Sequence, residues 1–216
     1  MRTQTADISA RDKILHAAEA LFARRGYAAV GMSEIAEAVG LSKSSLFHHF
    51  PTKAQLYAAT VDRILRTMEA TSTAALAKGG TPVERLDRWV DATVDLLGAH
   101  PASARLLLRS MFEDDELNGA FEEERAVNET LRRVIGAASQ LLREGMGCGA
   151  LRAANIPHTV QSLIGLIIYH FASGDFGAEL LGRPIDTPAE VRRRKDEIKS
   201  LLHHGLAAPR APHQED

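Results

Sequence analysis

Residues 26–57, GYAAVGMSEIAEAVGLSKSSLFHHFPTKAQLY, decide the fold of this chain. They read as two short helices joined by a tight turn. Ile35, Ala36 and Val39 fall at helical spacing as an apolar stripe, with Glu34 and Glu37 facing away. Gly40 stops the first helix, because glycine enters the left-handed conformation past a helix end without steric cost. Ser42 is a natural N-cap for a second helix running through Phe50, and Pro51 ends it. A helix, a turn of about four residues containing glycine and a second helix make the helix-turn-helix pattern, whose second helix enters the DNA major groove. The stretch predicts a DNA-binding unit.

Outward from this stretch, almost every segment reads as helix. Ser9 or Ala10 opens a first helix carrying Ile14, Leu15, Ala18, Leu21 and Phe22, ended by Gly26. A long helix runs from Thr52 or Lys53 to about Lys78, where Gly79-Gly80 breaks it. Thr81-Pro82 opens the next in an N-cap/N1 arrangement. His100-Pro101 makes a corner before a short helix with Leu106, Leu107 and Phe112. A second long helix is expected at about 118–143, ending in the glycine-rich stretch 145–149, and an apolar helix from Ile156-Pro157 through Phe171. A linker, SGDFGAELLGRPID, precedes a last helix from Thr187-Pro188 to His204. That makes about nine helices, an all-α fold.

The helix-turn-helix stretch resembles the DNA-binding domain of the TetR family of transcriptional regulators. The resemblance rests on Gly26-Tyr27, Ile35-Ala36, Gly40-Leu41-Ser42, Leu46-Phe47, His49-Phe50, Lys53 and Leu56-Tyr57, and it covers about the first quarter of the chain. Two positions depart from the family pattern. Phe47 stands where a phosphate-contacting tyrosine is common, and Gly31 stands where threonine often caps the first motif helix. The rest matches in helix pattern and length alone. The resemblance implies an N-terminal three-helix DNA-binding domain (1–54) joined by a long helix to a larger ligand-binding and dimerisation domain (55–207). Residues 208–216 read as a disordered tail.

Charge and composition agree. The net charge is −2, but residues 1–57 carry seven Lys/Arg against five Asp/Glu, a net +2, leaving −4 for the remainder. The modest basic excess sits where phosphate neutralisation requires it. Apolar residues make up 45% and charged residues 25%, as in an ordinary globular protein. No apolar run approaches the roughly 20 residues that span a bilayer, and the N-terminus lacks the apolar core of a signal peptide. The lone Cys148 excludes an internal disulfide framework. A cytoplasmic protein without membrane contact is expected.

Major-groove readout needs short side chains near the start of the recognition helix, where Lys43, Ser44 and Ser45 lie. Lys43 can donate to guanine O6/N7, and the serines to bases or phosphates. The bland alternative is serines that merely cap a surface helix. Phe47 can lie against a thymine methyl or the sugar backbone, or serve as a half-buried packing ring. His48 and His49 point about 100° apart, so they cannot share one metal ion, and a base contact and a phosphate contact are expected instead. Lys53, at the start of the next helix, is expected to hold a phosphate beside the dipole, and Ser33 a second one.

The resemblance further implies a ligand cavity in the larger domain, and Trp89, Thr93, Leu108, Phe112, Tyr169 and His170 are the candidates for lining it. Each is otherwise an ordinary core residue. The last two helices look like a dimer interface. Gly165 permits close helix approach, and Val191, Ile198 and Leu202 lie on one stripe with Arg194 and Leu201. The basic run Arg192-Arg193-Arg194-Lys195 reads as a solvated face.

Enzyme readings find little support. Gly145-x-Gly-x-Gly follows a helix instead of a strand, and P-loop and G-x-S-x-G motifs are absent. Glu113-Asp114-Asp115-Glu116 precedes a helix, where acids favour the dipole, so no metal site and no cofactor are expected. The expected function is a homodimeric, sequence-specific regulator, a repressor released from a pseudo-palindromic double-stranded operator by a small apolar or amphipathic effector. The alternative is an effector-independent activator or architectural DNA-binding protein.

Overall fold

The computed structural model describes residues 9–112 and 121–207. Among these residues lie ten α-helices: α1 (Ala10–Arg25), α2 (Met32–Ala38), α3 (Lys43–His49), α4 (Lys53–Leu76), α5 (Pro82–Ala99), α6 (Pro101–Ser110), α7 (Glu122–Gly147), α8 (Ile156–Ala172), α9 (Gly174–Leu181) and α10 (Pro188–Gly205). The all-helical class is as expected. The count rises from nine to ten because the segment expected as a linker folds into α9 and stops at Gly182, whose φ of +66° suits glycine. α7 also runs further than expected, through Gly145. A Cβ at Gly145 would sit 2.5 Å from the Leu151 side chain, so this glycine serves close packing instead of ending the helix. The acidic run Glu113–Glu116, the expected helix start at Asn118 and the tail 208–216 lie outside the described residues.

Local chemistry sets the helix starts. The Ser9 hydroxyl accepts from the Asp12 amide, Asn155 from His158, and Thr187 from Glu190. Thr81 and Glu84 form a reciprocal capping box at the head of α5.

The helices group into two compact units, one of residues up to Arg66 with Ala102–Leu131, the other of Thr67–Pro101 with residues from Arg132 onward. In the first, Phe22 and Tyr57 meet edge to face at 5.1 Å, and Tyr57 meets Tyr27 likewise at 5.1 Å. Phe22 and Tyr57 are fully buried, with Ile14, Ile35, Leu46, Phe50 and Leu56 around them. Arg63 pairs with Glu19, which also accepts from the Ser103 hydroxyl, so α1 is tied to α4 and α6.

In the second unit α10 runs antiparallel along α5. Three acid–base pairs mark the register: Asp87 with His203 at 2.8 Å, Asp91 with Lys199 at 3.0 Å, and Asp95 with Lys195 at 2.8 Å. Each side repeats every four residues, so one face of each helix meets the other. Exposed pairs of this kind contribute at most about 1 kcal/mol each, and their main effect is on register. Close approach is possible because position 98 is glycine; a Cβ there would lie 2.7 Å from Val191 Cγ2. Ile198 and Leu202 are 0% and 8% exposed, buried within the single protomer. They were expected to face a second copy, and they pack within their own unit instead. The basic run is only partly solvated: Arg193 pairs with Glu190 at 2.6 Å, Arg194 donates to the Leu166 carbonyl, and Lys195 belongs to the ladder. No described helix is long and apolar enough to cross a membrane.

Candidate nucleic-acid interface and effector cavity

The α2–α3 turn is built as its residues require. Gly40 takes φ +68°, its amide donates to Glu37 O at 3.0 Å, and the Leu41 amide donates to Ala36 O at 2.9 Å. Two of the carbonyls left free at the end of α2 are thereby satisfied. The Ser42 hydroxyl then accepts from the Ser45 amide at 3.1 Å and starts α3. Gly31 begins α2 without a side-chain cap, so the α2 start is held by backbone alone.

α3 sorts its side chains cleanly. Leu46 and Phe50 are buried, whereas Lys43, Ser44, Ser45, Phe47, His48 and His49 are exposed. The Lys43 ammonium lies 5.7 Å from the Phe47 ring centroid, one turn along the helix, and the two imidazoles sit 6.0 Å apart, their planes at 67°. Ser44 and Ser45 hydroxyls each lie within 2.9 Å of Ser42 Oγ. Ser33 is exposed in the first turn of α2. These groups thus share the solvent side of the helix-turn-helix, available to a duplex.

Lys53 is placed differently from the free phosphate ligand expected. Its ammonium donates to Tyr27 O at 2.9 Å and Val30 O at 3.2 Å, and lies 4.1 Å over the Tyr27 ring. It clips the loop before α2 to the start of α4. Charge-assisted bonds at a half-buried site contribute about 1.5–3 kcal/mol each when lost. Lys53→Ala is therefore expected to lower the melting temperature of the protein and leave the salt dependence of DNA binding unchanged. Wild-type melting with a salt slope reduced by about one unit would return Lys53 to phosphate contact.

The second unit holds a cavity of about 40 Å³ among α4, α5, α7 and α8. Its wall is Met68, Trp89, Thr93, Val134, Ile135, Ala138, Val160, Leu163, Ile164, Ile167 and Ile168. Among the expected lining residues, Trp89 and Thr93 are here. Leu108 and Phe112 belong to the first unit, where Phe112 is 81% exposed, and Tyr169 is exposed on α8. His170 stands half-buried beside Phe171, ring centroids 4.8 Å apart, with Nε2 buried and unpartnered among the described residues. Burial, helped by the nearby Arg194 guanidinium, holds this imidazole below its ordinary range. The nine remaining wall residues carry no mark in the sequence that sets them apart from ordinary core. Periodicity marks them as inward, and nothing local marks which inward faces leave a gap.

Two family descriptions match the chain: bacterial regulatory proteins of the tetR family over residues 14–60, and the tetracyclin repressor-like C-terminal domain over residues 82–201. An uncharacterized HTH-type transcriptional regulator of Mycobacterium tuberculosis is 37% identical over 95 residues, 44% of this chain and 47% of that protein. The HTH-type transcriptional repressor KstR of Mycolicibacterium smegmatis is 29% identical over 110 residues, 50% of this chain and 54% of that protein. The chain spans about half the length of the curated relatives it matches. AibR, solved with isovaleryl coenzyme A and operator DNA, superimposes with a TM-score of 0.71 at 18% identity, covering 88% of this chain and 96% of that one, a likeness of fold.

Proposed function

The chain belongs to the TetR family of transcriptional regulators, and on that premise we propose that it is a dimeric, effector-controlled repressor of a pseudo-palindromic operator. The observation that carries the reading is the division of α3, with Leu46 and Phe50 buried and six polar, basic or ring side chains exposed beside a correctly capped turn. Residues 1–54 would bind DNA, and residues 55–207 would hold the effector and the second copy. An apolar molecule in the cavity would favour a form of the dimer whose recognition helices no longer match successive major grooves, releasing the operator by differential affinity. The matched repressor KstR supports the repressor direction.

The test is selection of a duplex from a random library, followed by titration of that operator against a scrambled duplex. Lys43→Ala is expected to weaken the selected operator by about 1–3 kcal/mol and to flatten preference at one base pair, if Lys43 reads a guanine. Equal losses on selected and scrambled duplexes would remove Lys43 from base readout.

For the second copy, the support is a set of exposed apolar positions on α8, α9 and α10: Tyr169, Phe176, Leu180 and Leu201, with Leu180 73% exposed. Gly165 lies on the same unit, and a Cβ there meets nothing within 4 Å. Gly165→Leu should therefore not lower, and through helix propensity should slightly raise, the melting of an isolated protomer while crowding a partner, an overpacking cost of about 1–3 kcal/mol. Sedimentation would show a weaker dimer. Unchanged dimerisation and operator affinity would move the interface away from α8.

A further inference from the structure

We propose that the cavity of the second unit takes an uncharged, mainly hydrocarbon molecule carrying at most one hydrogen-bond donor, which Thr93 Oγ1 would accept. This rests on the effector reading above and narrows its chemistry.

Among the described residues no charged side chain lines the cavity. Its two polar groups are already engaged. Trp89 Nε1 donates to Ser72 Oγ at 3.0 Å, and Thr93 Oγ1 donates to Trp89 O at 2.8 Å. The indole has no acceptor to offer, so it presents no further polar function to a guest. The threonine proton is used, but its oxygen keeps acceptor capacity. A guest can thus be recognised by one donated hydrogen bond and otherwise only by hydrocarbon contact.

An ionised carboxylate or phosphate placed there would lose its hydration and find no cation, a cost far above any gain from its hydrocarbon part. Acyl chains tethered to a charged carrier therefore do not fit with the charged part inside. Size narrows the class further. An apolar cavity of about 150 Å³ accepts benzene in another protein, so at about 40 Å³ this one must widen to admit a ring. Val134, Ile135 and Ile164, the half-buried members of the wall, are all on α7 and α8, whereas the α4 and α5 members Met68, Trp89 and Thr93 are buried. Widening falls to the α7–α8 side, so occupancy and helix displacement are coupled, as an effector requires.

Trp89 is the only tryptophan of the chain, so its fluorescence reports this cavity alone. The full-length protein would be titrated at pH 7.5 with methylcyclohexane, cyclohexanol and cyclohexanecarboxylate, probes of one ring size. The two neutral probes are expected to change Trp89 emission saturably, and the carboxylate to bind at least 100-fold more weakly. Thr93→Val should weaken cyclohexanol about 2–10-fold, the value of one net hydrogen bond, and leave methylcyclohexane unchanged. Ala138→Leu should abolish both neutral responses by filling the space. Ile164→Phe, at a half-buried position that tolerates bulk, should do the same if Ala138→Leu fails to fold.

A carboxylate binding as well as the neutral probes overturns the proposal, as does the absence of any saturable response. Neutral responses that survive in a folded filled-cavity variant overturn it too. The effector reading fails separately: neutral probes that bind at Trp89 and leave affinity for the selected operator unchanged would sink that reading and leave the cavity chemistry standing.

Discussion

Ile198→Glu is expected to unfold the protein, and not merely to separate two copies of it. Ile198 is fully buried on the face of α10 that runs along α5, where Gly98 brings the helices close. A carboxylate there meets cations that are already engaged: Lys195, Lys199 and His203 with Asp95, Asp91 and Asp87, and Arg194, one turn away, with the Leu166 carbonyl. An uncompensated buried charge costs about 3–5 kcal/mol, in addition to the lost burial of the isoleucine. Typical total stability is about 5–15 kcal/mol, so the variant should lose most of its margin. Urea titration followed by far-ultraviolet circular dichroism would show the midpoint collapse or an aggregated product. A folded monomer of wild-type midpoint would mean that Ile198 faces a second copy after all. The contrast with Gly165→Leu makes the pair informative, since that change adds bulk in open space.

Phe22→Ala is expected to have a comparable effect on the helix-turn-helix unit. The ring is fully buried and stands edge to face with Tyr57, which in turn meets Tyr27. Truncation of a buried phenylalanine costs about 3–5 kcal/mol, and the lost aromatic contact about 0.5–1.5 kcal/mol more. Tyr27 carries one of the two carbonyls that Lys53 holds, so the cavity left by Phe22 loosens the loop leading into α2. Operator affinity should fall with the folded fraction of this unit. Hydrogen exchange would show amides of α1 to α3 opening first, with those of α5 and α10 still protected. Uniform protection with normal operator binding would contradict the role given to the ring cluster.

The helix-turn-helix was legible because its determinants are local. Ser42 caps α3 through an amide three residues on, Gly40 supplies the positive φ, and Leu46 and Phe50 fall one helical turn apart. None of these depends on a distant residue. Lys53 shows the limit of such reading. Its place at the start of a helix suggests phosphate contact, and no local pattern marks the two carbonyls, 23 and 26 residues earlier in the chain, that take two of its three protons.

The larger unit divides along the same line. Its helical class, most helix starts and the inward faces of α5 and α10 follow from periodicity and caps, which are properties of neighbouring residues. Periodicity says that Val191, Ile198 and Leu202 must be covered, but their own protomer and a second copy offer equally apolar cover. Gly98 and the Asp87–Asp91–Asp95 row decide for the protomer, and both lie about a hundred residues away. The cavity is of the same kind. Trp89 and Thr93 could be picked out by residue type, but a gap exists only where four separate helices fail to meet. The sequence alone determined the helical class, every helix but α9, which faces turn inward and which side chains of α3 face solvent. Tertiary packing alone decided what each inward face touches, because burial is non-directional and partner choice is set by contacts remote in the chain.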